Sequence, residues 1–424
     1  MSTDELQRLN GTSRSRSSSP WVRKPLQSAN QDQPVPHHAP SKASYNSIQS
    51  DNLPKTGLDR HLTLFDLVSI GIGGTIGSGL FVLCGLVAHE YAGPSSSISW
   101  ALSGLAACVS GCCYAEMASR IPAAGSAYAY AFVAMGEWPA FLAALCLSLE
   151  YVLAASAVAR SWADKVMQYL SQYSESYPHS WIHSMLSEPG GTSLSPLAFV
   201  IAVVSTWLLL HGVKESKAVT NFITVAKCLV VMFMVGTALL DIHFENWVPF
   251  TPFGMAGVLR GSTATFFGYL GYDEVCCLAG EAQNPKRNLP IAILLTLVGV
   301  TLLYITAALA LTGMQSYEDI SNVSGFPAAF DGVGRPIAAH IAAWGELLTL
   351  PVVVPLIIIG QPRLQYALAQ DGLLPNWFAE IDSNGNLFNG TLVSGVLMVV
   401  MATCVEFTNL NDMISAAVLM ALSM

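Results

Sequence analysis

Two glycine-crowded stretches interrupt apolar runs that are otherwise long enough to be helices. One is Gly71-Ile-Gly73-Gly74-Thr75-Ile-Gly77-Ser78-Gly79, five glycines in nine residues; the other is Phe266-Phe267-Gly268-Tyr269-Leu270-Gly271-Tyr272-Asp273. Glycine weakens a helix interior, so both stretches are expected to unwind. Unwinding leaves N–H and C=O groups without helical partners, which hydrocarbon punishes heavily. Such groups are tolerated where they face a cavity and a ligand. The start of the next half-helix offers N–H donors and a positive dipole end, which suit a carboxylate. The carbonyls that end the preceding half-helix suit an ammonium. The two together match a small zwitterion such as an amino acid. Close helix packing through the Gly73-x-x-x-Gly77 pair is the alternative, but it does not predict a second break five spans later.

Among the ionisable residues inside apolar runs, three stand out. Lys227 stands in the middle of Val225-Ala-Lys227-Cys-Leu-Val. A lysine at a helix centre in a membrane costs roughly 2.5–3.5 kcal/mol, so it needs a partner or a cavity unless it snorkels to an interface. Burial disfavours its charged form, which would let it exchange a proton. Glu150 is the sole charge of its run and is a candidate partner for Lys227, as a salt bridge or along a transport path. Asp273 closes the second glycine stretch, where it either handles substrate or proton or caps the half-helix.

The elements that must carry these residues are membrane spans. The chain has 424 residues, of which 52% are hydrophobic and only 11% charged. Soluble proteins average about 25% charged, so this chain cannot dress a soluble surface. The net charge of −9 argues against nucleic-acid binding. Apolar runs cover 67–88, 92–115, 138–159, 192–213, 218–240, 257–280 (interrupted), 289–313, 336–364, 387–405 and 410–424. The last reaches only about 22 Å, short of the roughly 30 Å of hydrocarbon, so the chain stops inside its tenth span. The start of the seventh helix is placed at Asn288 with Pro290. The expected fold is therefore an all-α polytopic membrane protein, a five-plus-five repeat with broken helices 1 and 6, truncated in helix 10. A repeat unit of five spans must insert upside down relative to its copy, and paired breaks in corresponding positions point to a transporter binding site. Residues 61–240 form the first repeat and 241–424 the second.

Residues 1–60 are polar, rich in Ser, Pro, Gln and His, and carry eight Lys/Arg against five Asp/Glu. They read as a disordered tail without a cleavable signal peptide, so the first apolar span is expected to do the targeting. With the tail in the cytosol, fourteen Lys/Arg fall on that side and four (Arg160, Lys165, Arg260, Arg335) on the other, which fixes the orientation. The nine cysteines all lie in apolar runs without Cys-x-x-Cys pairs and read as small buried side chains; no metal site or cofactor is implied. Of the Asn-x-Ser/Thr sites Asn10, Asn322 and Asn389, only Asn322 faces the non-cytosolic side in this topology.

The block Gly71-x-Gly73-x-Thr75-Ile-Gly77-x-Gly79-Leu-Phe-Val-Leu83 resembles the first helix of the cationic amino acid transporter family of the amino acid–polyamine–organocation superfamily. Further blocks follow in order: Ala92-Gly-Pro94, Cys113-Tyr-Ala-Glu116, Arg120-Ile-Pro-Ala-Ala-Gly-Ser-Ala-Tyr128, Leu149-Glu150-Tyr151, Phe267-Gly-Tyr-Leu-Gly-Tyr-Asp273, Gly280-Glu281, Asn284-Pro285-Lys-Arg287 and Tyr366-Ala-Leu-Ala-Gln-Asp-Gly-Leu-Leu374. The resemblance runs from about residue 60 to the end. It implies a leucine-transporter-type inverted-repeat bundle working by alternating access, although relatives carry twelve or fourteen spans. It implies that Ser78 and Gly79, with Gly77 beside them, hold the substrate carboxylate, and that Thr75 offers a neighbouring carbonyl. The substrate ammonium then meets Phe267 and Leu270 carbonyls beside Gly268, with Tyr269 and Phe267 as an aromatic gate. By the same resemblance, Lys227 stands where sodium-coupled relatives hold their ion, which implies proton coupling. The eighth span agrees, since Thr349 is its only hydroxyl between Leu347 and Leu364. Glu281, Asn284, Lys286 and Arg287 read as a cytosolic loop and orientation signal.

The resulting expectation is a proton-coupled secondary transporter of amino acids, with Lys, Arg or ornithine favoured. Its partners are the substrate, the proton and the lipid of a plasma, vacuolar or lysosomal membrane. Two alternatives share the pocket, a neutral amino acid carrier and a non-transporting amino acid sensor that signals through the tail. An intramembrane enzyme would need a nucleophile with a base or a metal set within the spans, and Ser78 has no histidine near it in sequence.

Overall fold

A computed structural model describes residues 61–77, 79–121, 125–173, 194–211, 217–382 and 386–422. The expected tail and the Asn10 site lie outside these residues. The described residues are mainly helical, with an isolated parallel bridge between Leu62 and Ala282. The first span is split. Helix α1 (Leu64–Thr75) begins on a capping box, in which Asp66 accepts from the Thr63 N–H at 2.9 Å and Thr63 Oγ1 accepts from the Asp66 N–H at 3.3 Å. Helix α2 (79–92) resumes through a π-turn, and the chain reverses at Gly93, whose φ of +60° suits glycine.

The remaining elements are α3 (Ser96–Arg120), α4 (Ala127–Met135), α5 (Glu137–Tyr173), α6 (Pro196–Leu210), α7 (Lys217–Leu239) and α8 (Gly254–Phe266). After the second break come α9 (274–280), α10 (Pro285–Met314), α11 (Gly325–Gly332), α12 (Pro336–Ile358), α13 (Gly360–Gln370), α14 (Phe388–Cys404) and α15 (Phe407–Leu422). Five stretches among the described residues are long and apolar enough to cross a membrane, the longest joining α1 to α3; α6 and α14 are shorter apolar helices. Helix α10 packs along α3, where small residues allow close approach: a Cβ on Gly104 would lie 2.5 Å from the Thr301 side chain. Helix α5 packs against α4, α6, α12, α14 and α15.

Several boundaries differ from the expected ones, each for a physical reason. The third span does not stop at Ala159 but continues to Tyr173, because the charges beyond it are buried with partners: Lys165 donates to Glu346 of α12 at 2.6 Å and to the Val323 carbonyl at 3.0 Å. Arg160 and Lys165 are thus buried helix residues. Helix α10 starts at Pro285, not at Asn288: Asn284 caps it in a left-handed conformation, and the Asn284 carbonyl accepts from the Arg287 and Asn288 N–H groups at 3.0 Å each. The eighth span runs past Leu364 to Gln370 with one interruption at Ile359. Glu281 of the expected loop is tied to Arg363 of α13 by two hydrogen bonds of 2.9 and 2.7 Å, so it is a structural anchor. Among the cysteines, Cys112, Cys113 and Cys404 are exposed on the apolar exterior.

Candidate functional site

Helix α1 ends where its glycines end. Thr75 Oγ1 folds back on the Gly71 carbonyl at 2.6 Å, and Ile76 turns extended, with ψ of 94°, while its N–H still reaches the Ile72 carbonyl. The carbonyls of Gly73, Thr75 and Ile76 are then left without helical donors. Side chains from elsewhere in the chain take all three. Lys227 Nζ donates to Gly73 O and to Ile76 O at 2.7 Å each. The Tyr304 hydroxyl of α10 lies 2.8 Å from Thr75 O.

Lys227 reaches this point because of its helical register. On α7, residues 224, 227, 231, 234 and 238 are buried, whereas Phe222, Val225, Leu229 and Met232 are exposed and apolar. The lysine is 1% exposed and points into the protein, so it does not snorkel. Asn221 on the same helix donates to Asp66 at 2.8 Å, and Thr224 to the Ser69 carbonyl at 3.1 Å. Helix α7 therefore clasps α1 along its length. A cation against the carbonyl end of a helix is favoured by the macrodipole as well as by the two hydrogen bonds.

The second break mirrors the first in chemistry. Helix α8 ends at Phe266, a single 3-10 turn spans Phe267–Tyr269, and Leu270 is extended with ψ of 147°. Gly271 adopts φ of +117° and approaches Thr75, whose N and Oγ1 would each lie 3.0 Å from a Cβ there. The breaks meet at Gly79 and Gly268, where a Cβ on Gly79 would stand 2.6 Å from Gly268 Cα. The Tyr304 hydroxyl lies 3.0 Å from Gly268 O as well as 2.8 Å from Thr75 O, so one donor bridges both breaks. It carries a single proton and satisfies one carbonyl at a time. Tyr269 is fully buried, donates to the Trp100 carbonyl at 2.7 Å, and packs with Trp100 and Tyr304 at centroid distances of 5.8 and 5.5 Å.

The structure thus brings together Thr75, Gly77, Gly79, Phe267, Gly268, Tyr269 and Leu270, with Lys227 behind α1. Ser78 lies outside the described residues. The Phe267 carbonyl is engaged by the Leu270 N–H at 3.2 Å. Asp273 accepts from Tyr151 of α5 at 2.6 Å and from the Gly271 N–H at 3.4 Å, which pins the turn of the second break to α5. The pair of Glu150 with Lys227 is not formed: both are buried, but the ammonium turns to the α1 carbonyls. Those carbonyls are orphaned by the unwinding and lie within hydrogen-bond reach of the α7 ammonium.

Three site residues escaped sequence reasoning. Tyr304 lies in an unbroken apolar run and carries no sign that its hydroxyl reaches both breaks. Trp100 is likewise invisible until its ring is seen against Gly268, where a Cβ would be 2.7 Å away. Glu274 is 2% exposed, with Oε2 buried and without a hydrogen-bond partner among the described residues, and a Cβ on Gly74 would approach that oxygen to 3.2 Å. The adjacent acids Asp273-Glu274 in an apolar run were the available signal.

Comparison with known proteins adds an independent line. Residues 62–424 match the sequence model of a family described as amino acid permease. The chain is 35% identical over 365 residues to a methylthioribose transporter of Bacillus subtilis, covering 86% of this chain and 79% of that one. It is 34% identical over 372 residues to a vacuolar cationic amino acid transporter of Arabidopsis thaliana, covering 86% and 62%. It is 32% identical over 384 residues to a branched-chain amino acid permease of Bacillus subtilis, covering 90% and 82%. The chain therefore spans about three-fifths of the length of the plant relative.

Proposed function

The chain belongs to the amino acid permease family, an integral membrane transport family, and from that premise we propose that it is a proton-coupled secondary transporter of amino acids that works by alternating access. In this reading α1/α2 and α8/α9 are the equivalent broken helices of two inverted five-span repeats, and the tail side is cytosolic, as the Lys/Arg imbalance suggests. The substrate carboxylate docks on the N-terminal end of α2 at Ser78 and Gly79. The substrate ammonium takes the carbonyls that the breaks expose near Thr75, Phe267 and Leu270. Tyr304 then gives up one of its two carbonyls to the incoming ammonium. Tyr269 and Phe267 close over the substrate.

The observation that carries the proton half is the Lys227 bridge. When protonated, the ammonium holds Gly73 O and Ile76 O and fixes the end of α1. Hydrogen bonds to charged groups contribute about 1.5–3 kcal/mol each, so losing the proton releases α1 from two of them. That is enough to bias a two-state helix position. Cationic amino acids are the favoured substrates, in line with the relatives named for them and with the buried acids Glu150, Asp273 and Glu274 near the second break.

Counterflow in proteoliposomes across the twenty amino acids, with and without a pH gradient, tests the reading. L-lysine, L-arginine and ornithine are expected to exchange best, faster under an inward proton gradient. A second substrate reading comes from the relative named for methylthioribose, which lacks both the carboxylate and the ammonium. Exchange of that compound without any amino acid exchange overturns the zwitterion site. Saturable amino acid binding with no flux would instead indicate a sensor.

A further inference from the structure

Beyond the two breaks, a cavity of about 220 Å³ opens beside α2. It is bordered by Val82 and Leu86 of α2, by Arg160, Ser161 and Asp164 of α5, and by Glu406 at the start of α15. Val82 and Leu86 lie three and seven residues beyond Gly79 on the same half-helix. The lining is built and not incidental. Arg160 is 6% exposed and its Nε lies 3.3 Å from Asp164 Oδ1. Ser161 is 2% exposed, lines the cavity, and its hydroxyl has no hydrogen-bond partner among the described residues. A buried, unpartnered hydroxyl is costly unless a ligand or water meets it.

The geometry points to a second binding site here, for an α-amino acid with a cationic side chain, on the way to the broken helices. Three complementarities carry it. A guanidinium has five N–H donors in a planar fork, enough to hold protein partners and a ligand carboxylate together. Asp164 and Glu406 supply two negative charges against the one positive charge of Arg160, so the lining carries a net charge of −1 and favours a ligand of net charge +1. Val82 and Leu86 give the methylenes of such a side chain an apolar wall. A neutral amino acid meets the first and third features but leaves one carboxylate unmatched. The site rests on the transport reading only for its place on a substrate path; binding itself does not depend on it.

Equilibrium dialysis of the full chain with radiolabelled L-lysine, paired with uptake in proteoliposomes, separates the two claims. Wild type is expected to bind two equivalents. Thr408→Trp, which places an indole at the cavity from an exposed position, and Glu406→Gln, which removes one charge, are each expected to lose one equivalent. Each should also raise the KM for L-lysine about tenfold, the effect of roughly 1.4 kcal/mol. Gly79→Val, which collides with Gly268, should abolish uptake yet keep the equivalent that Thr408→Trp removes. Wild type binding no equivalent that Thr408→Trp removes, or both cavity variants binding and transporting as wild type does, overturns the site. Absence of uptake by wild type, with the Thr408→Trp-sensitive equivalent still bound, fails the transport reading and leaves this site standing.

Discussion

At Lys227 one ammonium meets two carbonyls that exist as acceptors only because α1 unwinds. The lysine and the break therefore explain each other: without the break the cation has no partner, and without the cation two carbonyls are orphaned in an apolar interior. Tyr304 does the same for both breaks with one hydroxyl. Tyr304→Phe removes the one donor that two buried carbonyls share and should destabilise the protein by about 1–3 kcal/mol, read as a lower melting temperature in detergent. It should also weaken the KM, because the breaks are no longer held in register. A variant that melts and transports like wild type would show that the hydroxyl is not the brace. Much of this was legible beforehand. The glycine clusters marked both breaks, and the isolated Lys227 marked the helix that serves the first. Tyr304 was not legible, because its partners lie 229 and 36 residues away and nothing in an apolar run signals them.

At the scale of elements, α5 is the member whose length the sequence understated. Its outer third carries charges that read as a helix end, yet Lys165 and Glu346 form a pair with side chains only 3% and 2% exposed. A buried pair fixes α5 to α12 and, through Val323, to the segment before α11. Such pairs appear in sequence only as two distant charges, and nothing in composition says they meet. Lys165→Met strands Glu346 as an uncompensated buried charge and should cost about 3–5 kcal/mol. Adding Glu346→Leu should recover much of that loss, and a double variant as unstable as the single one would argue against the pair. The turn at the second break makes a separate prediction. Gly271→Ala forces a side chain into φ of +117° against Thr75, with a strain cost of about 1–3 kcal/mol. The expected result is lost uptake at normal expression, since the turn shapes the break more than the bundle.

Across the whole molecule, the apolar exterior and the buried polar seam divide the labour. Residues such as Phe222, Leu229, Leu302 and Leu348 face outward, while the polar and ionisable groups gather along α1, α5, α7 and the second break. That distribution follows from hydropathy and helical period, which is why a mainly helical membrane protein was readable. Precise span ends were not, since they depend on which charges find buried partners. The breaks are pressed together at Gly79 and Gly268, and in the proposed reading they part to admit substrate. In the proposed cycle the proton on Lys227 governs that parting.

The most direct test is uptake of labelled L-lysine into proteoliposomes under an inward proton gradient, with wild type beside Lys227→Met. The account predicts accumulation above the equilibrium level by wild type, abolished by a protonophore, and mere equilibration by the variant. Equal gradient-driven accumulation by both proteins would contradict it.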